Sequence, residues 1–381
     1  MVLRMLVDEN IPGAEHVLGP FGRVQRFSGR SLTRSQLVDT DALLVRSVTT
    51  VNESLLSGTP VRFVGSATSG IDHIDVSYLH NSGIHFAYAG GANANSVVEY
   101  VLSAIASVED RLERLLAGEA CGIVGYGFVG KALAMRFHAL GIACRVYDPW
   151  LDRDDVSGAV DLEEALACNV VCLHPALTDK APYPSRHLLS RDTLPLLQPG
   201  ALLINASRGE VIDSLALLAH LKAGNDLLTV LDVWEDEPHI NIALLKQVTL
   251  ATPHIAGYSL DSKIVATRML ASAMAMALGI SEFAPHHATE GQAPWVLADG
   301  LSGAALIRAL VHAHYDVRED DRRLRGGGSD RISEHFDYMR KNYPARRELA
   351  RARIKLPAGF SDLSTLHALG CEICEGEASS G

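Results

Sequence analysis

The segment Gly122-Ile-Val-Gly125-Tyr-Gly127-Phe-Val-Gly130 constrains what this chain can fold into more than any other. It leaves the β-prone stretch Ala120 to Val124 and enters a stretch rich in alanine and leucine, so its spaced glycines fall on a strand-to-helix turn. At such a turn Gly125 permits the tight bend, Gly127 lets the backbone approach a pyrophosphate, and Gly130 lets helix and strand pack closely. Phe128 and Val129 lie in the same turn, where the first N–H groups of the helix point at the phosphates. The next β-prone stretch, Cys144 to Tyr147, ends at Asp148, about twenty residues on, where a ribose 2'-hydroxyl needs an acceptor. A carboxylate there repels a 2'-phosphate, which favours NAD over NADP. Glycine-rich turns without ligand are common; the order strand, glycines, strand, acid is what points to a dinucleotide.

A dinucleotide fold also requires strands and helices to alternate along the chain, and they do. Short β-prone runs occur at 3–7, 42–45, 61–64 and 84–87, and again at 120–124, 144–147, 170–173, 201–205, 228–231 and 249–251. Helical patterns fall between them, including 95–116 and 263–278. The expected fold is therefore α/β: two Rossmann-like, doubly wound parallel-sheet domains plus a smaller C-terminal α+β domain. The expected boundaries are 1–94 with 257–280 for a discontinuous substrate-binding domain, 95–256 for the NAD-binding domain, and 281–381 for the C-terminal one. At 381 residues the chain is long enough for all three cores.

A net charge of −11 argues against nucleic-acid and anionic-membrane partners, so any phosphate has to be met by a few local arginines. The apolar run Met269 to Ile280 is too short to span a bilayer. Asp8 and Glu9 come before any apolar signal-peptide core, and the six cysteines are scattered, which together suggest a reducing cytoplasm. Cys371 and Cys374 have zinc or redox spacing, but zinc wants four ligands and no second close pair accompanies them, so no metal is expected. His286 and His287 read as a linker feature.

Three further segments follow β-prone runs: Asn205-Ala206-Ser207-Arg208-Gly209, Asp232-Val-Trp234-Glu235-Asp-Glu237-Pro238, and Thr252-Pro-His254-Ile-Ala-Gly257-Tyr258. These segments resemble those of a family that oxidises 2-hydroxy acids, a reaction that needs a base for the hydroxyl proton, a cation for the carboxylate and developing carbonyl, and a carboxylate to orient the base. His254, Arg208 and Glu237 are the residue types for those three tasks. Any one alone is unremarkable, since the chain has sixteen histidines and an isolated arginine is usually a surface ion pair.

Together these segments resemble the D-isomer-specific 2-hydroxyacid dehydrogenase family. The resemblance implies Arg208, Glu237 and His254 as catalytic residues. It places Pro175, Ala206, Ser207, Arg208, Asp232 and Gly257 at the cofactor, with Asp232 towards the nicotinamide. Pro175 stands where the family usually has threonine, so a hydroxyl contact is lost there. The segments 7–12, 44–49 and 63–73 resemble one branch of that family, whose members act on 4-phosphoerythronate on the route to pyridoxal phosphate. That implies a small phosphorylated hydroxy acid as substrate, with contacts from Ser47, Thr68 and Tyr258 and with Arg46 as an added charge. Ser47 and Thr68 could equally end strands or cap helices. The segments 311–321 and 336–348 resemble the branch's dimerisation domain, implying a homodimer; an acidic protein needs local cations, and Arg346 or Arg347 either reaches a substrate phosphate across the dimer or belongs to a solvated basic surface.

Overall fold

The computed structural model describes residues 2–280 and 294–374; the His286 and His287 pair lies outside the described residues. The chain divides into two compact units, one of residues 2–93 with 259–280 and one of 94–258 with 294–374.

The first unit is a five-stranded parallel sheet: β1 (Leu3–Asp8), β2 (Gly22–Phe27), β3 (Ala42–Val45), β4 (Phe63–Ser66) and β5 (His85–Tyr88), in the order β2-β1-β3-β4-β5. Strand order reverses between β1 and β3, which makes the carboxyl ends of those two strands, Asp8 and the residues after Val45, the natural ligand edge. β3 and β4 are buried throughout, as the apolar runs require. β2 carries no such run. Its residues Gly-Arg-Val-Gln-Arg-Phe alternate between partly covered and exposed at the sheet edge, and Arg26 is held by Glu15 and by the carbonyls of Asp8 and Ile11. An edge strand with polar alternation lacks the signal that marks its buried neighbours. The helix Leu260–Ala277 completes this unit, burying Leu270, Ala271 and Met274 while Met276 on its other face stays exposed.

The second unit holds a six-stranded parallel sheet: β6 (Ala120–Val124), β7 (Ala143–Tyr147), β8 (Val170–Leu173), β9 (Ala201–Asn205), β10 (Leu227–Leu231) and β11 (Leu250–Ala251), in the order β11-β10-β9-β8-β6-β7. The reversal lies between β6 and β8. The helix expected over 95–116 is two helices, Ala94–Ser107 and Arg111–Leu116, separated where Asp110 takes a left-handed backbone conformation (φ 60°). A third sheet of three short parallel strands, β12 (Trp295–Val296), β13 (Arg353–Lys355) and β14 (Glu372–Cys374), belongs to the C-terminal segment.

That segment shares a continuous apolar core with the six-stranded sheet. Leu306, Ile307, Leu310 and Ile354 pack in one cluster with Val101, Ile105 and Phe137. Polar ties reinforce the packing: Asp321 accepts the Ala251 N–H at 2.8 Å, and Arg325 donates to the carbonyls of Leu245 and Val248. No described helix is long and apolar enough to cross a membrane.

Candidate active site

The glycine turn sits at the β6/β8 reversal. Gly125 has a left-handed φ of 92°, and a Cβ there would lie 2.4 Å from the Pro175 nitrogen, so only glycine lets the ends of β6 and β8 come this close. A Cβ on Gly130 would lie 2.0 Å from the Gly125 carbonyl oxygen, which accounts for the third glycine. Gly127 differs: a Cβ there would meet nothing within 4 Å. It caps the helix Phe128–Ala139 from a side open to a ligand. Asp148, at the end of β7, accepts the Tyr126 N–H at 2.8 Å and the Trp150 N–H at 3.1 Å. Each oxygen therefore keeps a lone pair, and a cavity of about 320 Å³ opens beside the carboxylate, lined by Tyr147, Pro149, Leu151, Val160 and Tyr183. A helix start with open space at its cap, beside a carboxylate that borders a partly apolar cavity, suits a pyrophosphate followed by a ribose and adenine.

Pro175 follows His174, which is buried, with neither ring nitrogen hydrogen-bonded among the described residues. Burial alone pushes its pKa down to about 4, so it is a neutral imidazole at the switch point.

The loops after β9, β10 and β11 lie side by side because those strands are sheet neighbours. Gly209, next to Arg208, fits against the backbone of Trp234 so closely that a Cβ would lie 1.9 Å from the Trp234 carbonyl carbon. This contact brings the Arg208 loop onto the Glu237 loop. Arg208 is half-buried and donates from Nη1 to the Ser207 carbonyl at 2.8 Å; Asn205 secures the turn by donating to the Arg208 carbonyl and accepting from Ser207. Glu237 accepts the Trp234 N–H through Oε1 at 2.9 Å and contacts His254 Nδ1 through Oε2 at 2.8 Å. His254 adopts a left-handed φ of 57°, uncommon for a residue with a side chain, and its ring is about one-third exposed. Among the described residues its Nε2 has no partner.

Asp232 is what holds His254 in that conformation. Its carboxylate accepts from the Ile255 N–H at 2.7 Å, the Ala256 N–H at 2.9 Å and the Thr252 hydroxyl at 2.7 Å, and its carbonyl accepts the His254 N–H at 2.6 Å. Burial raises its pKa, against the opposing pull of His254 and of these hydrogen bonds. Sequence reasoning assigns Asp232 to the cofactor; the structure gives it a loop-building task that the sequence does not signal. Thr252 extends the network to the buried Tyr100 hydroxyl at 2.8 Å.

Tyr258 is half-buried, with the Tyr343 ring edge-on at 5.7 Å and the Arg340 guanidinium 6.0 Å from its centroid. Gly257 lies between Tyr258 and the loop that Asp232 holds. In the first unit, Ser47 is exposed and Arg46 half-buried after β3, while Thr68 donates to the Gly70 carbonyl at 2.8 Å and lies 2.7 Å from the Ser66 hydroxyl. Lys263, on the first turn of Leu260–Ala277, has a pKa lowered by burial and by the charge of Arg46.

Arg346 departs from expectation. It is buried, donates to the carbonyls of Ser96 (2.7 Å) and Ala256 (3.3 Å), sits 3.7 Å over the Tyr315 ring and lies 3.8 Å from Glu99. Its charge is used within its own chain, so it is neither part of a solvated surface nor turned outward to a phosphate; Arg347, the other arginine offered for that phosphate, stays half-exposed. Nearby, Glu348 accepts from Asn95 and from the Ser96 hydroxyl, and burial pushes the Glu99 pKa up to about 7 against the pull of Arg346.

Residues 99–256 match the family model of the D-isomer specific 2-hydroxyacid dehydrogenase NAD binding domain, and residues 294–370 match a domain of unknown function, DUF3410. The erythronate-4-phosphate dehydrogenase of Edwardsiella ictaluri is 43% identical over 374 residues, covering 97% of this chain and 98% of that one. The enzyme of the same name from Teredinibacter turnerae is 40% identical over 369 residues, covering 95% and 98%. Among solved structures, NAD-bound 3-phosphoglycerate dehydrogenase from Entamoeba histolytica aligns with a TM-score of 0.61 at 24% identity, covering 74% of this chain and 98% of that chain. A D-lactate dehydrogenase from Aquifex aeolicus, complexed with NAD and lactic acid, gives 0.57 at 23%, covering 73% and 96%; at these identities the likeness is one of fold. On its motifs, its parallel sheets and its similarity to relatives along almost its whole length, the chain belongs to the erythronate-4-phosphate dehydrogenase family of D-isomer-specific 2-hydroxyacid dehydrogenases.

Proposed function

We propose that this chain is an NAD-dependent dehydrogenase that oxidises 4-phospho-D-erythronate to 3-hydroxy-2-oxo-4-phosphobutanoate, a step towards pyridoxal phosphate. The observation that carries the reading is the 2.8 Å contact between Glu237 Oε2 and His254 Nδ1, which leaves Nε2 for substrate. His254 Nε2 takes the proton of the 2-hydroxyl, and Glu237 keeps the ring in the tautomer and orientation this requires. Arg208 binds the carboxylate and steadies the developing carbonyl through two parallel donors. When bound, NAD supplies the hydride acceptor, held by the turn 125–130 with Asp148 at the ribose and by 175, 206–208, 232 and 257. Ser47, Thr68 and Tyr258 are the proposed polar contacts to substrate, with Arg46 adding charge.

The proposed division of labour gives substrate binding to 1–94 with 257–280, NAD binding to 95–256, and homodimer formation to 281–381. A cytoplasmic enzyme suits the six unpaired cysteines. The test is turnover of 4-phosphoerythronate beside 3-phosphoglycerate and simple 2-hydroxy acids, with a 2-oxo acid added in case the cofactor does not exchange. Preference for 4-phosphoerythronate supports the reading, and an equal or greater rate with another acid defeats it. Sedimentation of the purified protein tests the homodimer.

A further inference from the structure

A phosphorylated hydroxy acid carries two anionic ends, and Arg208 answers only the carboxylate. The C-terminal segment brings a second cation into the catalytic half of the molecule. Helix Ile332–Lys341 buries Phe336 and Met339, and that anchoring turns Arg340, on its last turn, over the Phe336 and Tyr258 rings, with its guanidinium 6.0 Å from each centroid. Tyr343 closes the other edge of Tyr258 at 5.7 Å and is itself fixed by donating to Asp320 at 2.6 Å. Tyr258 and Arg340 are therefore held together by residues of the segment matching DUF3410, four residues along the chain from His254.

Several observations indicate that this guanidinium faces a ligand. It is half-buried with no carboxylate within ion-pairing distance among the described residues, whereas Arg318, Arg322, Arg323 and Arg325 of the same segment each have one, and Arg331 and Arg353, for which none is seen, are exposed. Its Nε is buried without a hydrogen-bond partner, an arrangement that costs stability unless something else repays it. Burial works against its charged form, but Tyr258, through its charge and a hydrogen bond, together with Glu237 and Asp232 outweighs it and raises the pKa, which places the cation within electrostatic reach of the Glu237 and Asp232 loops. Glu237 makes no ion pair with it among the described residues, its two oxygens meeting the Trp234 N–H and His254 Nδ1 instead.

We propose that Arg340 is a specificity-determining residue that binds the substrate's phosphate, with Tyr258 stacked against it as the wall of the subsite. This rests on the reading of the substrate given above. It assigns the C-terminal segment a part in choosing the phosphorylated acid, delivered within one chain.

The experiment compares kcat/KM for 4-phosphoerythronate and for unphosphorylated erythronate in the full-length protein and in Arg340→Met and Arg340→Lys. Loss of one charged contact should lower kcat/KM for the phosphorylated acid about 30-fold, mainly through KM, and change erythronate by less than about twofold. Arg340→Lys should recover part of the loss, and NAD affinity should not change, which also reports that the variants are folded. Equal losses for both acids would reduce Arg340 to a prop for Tyr258 and overturn the proposal. No loss in Arg340→Met, with the discrimination lost instead in Arg46→Met, would place the phosphate elsewhere and overturn it too. Calorimetric binding of inorganic phosphate to the NAD-loaded protein separates the two readings. Binding that depends on Arg340 in a protein that does not turn over 4-phosphoerythronate would defeat the substrate assignment and keep the subsite; turnover without dependence on Arg340 would do the reverse.

Discussion

The carboxyl edges of the two parallel sheets are built in opposite ways. In the second unit, the loops carrying Arg208, Glu237 and His254 are fixed from behind. Gly209 lies against Trp234, Glu237 takes the Trp234 N–H, and Asp232 takes three donors from residues 252–256. In the first unit, Ser47 is exposed, and Thr68 spends its hydroxyl within its own turn. The contrast teaches where precision is needed. Proton transfer and charge stabilisation fail with small misplacements, whereas hydrogen bonds to the far end of a flexible acid tolerate them. Mutations behind the catalytic loops should therefore cost far more than mutations of the exposed hydroxyls.

The largest expected effect is His254→Ala, a fall in kcat of about 10³-fold with NAD affinity unchanged, measured by steady-state rates beside cofactor titration. A small effect there would undo the contrast at its centre. Next comes Gly209→Ala, in which the added Cβ must displace the Trp234 backbone; about 10²-fold loss of kcat and roughly 2 kcal/mol of stability are expected, read by rates and chemical denaturation.

Glu99 tests the buried support behind the loops. Its pKa in the folded state, about 7, is higher than that of an ordinary carboxyl, so the folded protein holds a proton that the unfolded chain releases from about pH 4.5 upwards. The contribution is present at low pH and is lost as pH rises through the folded value. Denaturation of Glu99→Gln should show a flatter stability profile between pH 4.5 and 7, by of order 3 kcal/mol at most. Asp148→Ala should weaken NAD binding about tenfold and narrow its advantage over NADP, followed by cofactor titration. Smallest of all, Ser47→Ala and Thr68→Val should raise KM by about threefold and leave kcat alone; a collapse of kcat in either would show the first edge to be as exacting as the second.

Much of this was legible because some physical demands leave unambiguous letters. Close backbone approach demands glycine at 125 and 130, and the acid at 148 follows the next strand at the spacing the proposed ribose contact requires; the equally close approach at Gly209 is seen only in the structure. Other features have no such letters. β2 is polar because it lies at an edge, and nothing between 107 and 111 announces that the chain turns there. That Asp232 also holds the His254 loop, and that Arg346 rather than Arg347 fills a buried site beside Glu99, has no sign in the sequence. Arg340 stands among other arginines in the sequence, and only the packing of Phe336 and Tyr258 separates it from them. Long-range placement decides these roles, and residue type alone does not encode it.

The bond from Asp321 to the Ala251 N–H has a practical consequence. Ala251 is the last residue of β11, three before His254, so the appended segment secures the strand from which the proposed general base springs. Truncating the chain near residue 293 would bare the Leu245 and Val248 carbonyls and the apolar face that Leu306 and Leu310 cover, leaving no minimal dehydrogenase behind. The appended segment is thus part of what keeps the His254 loop in place, as well as an addition at the end of the chain.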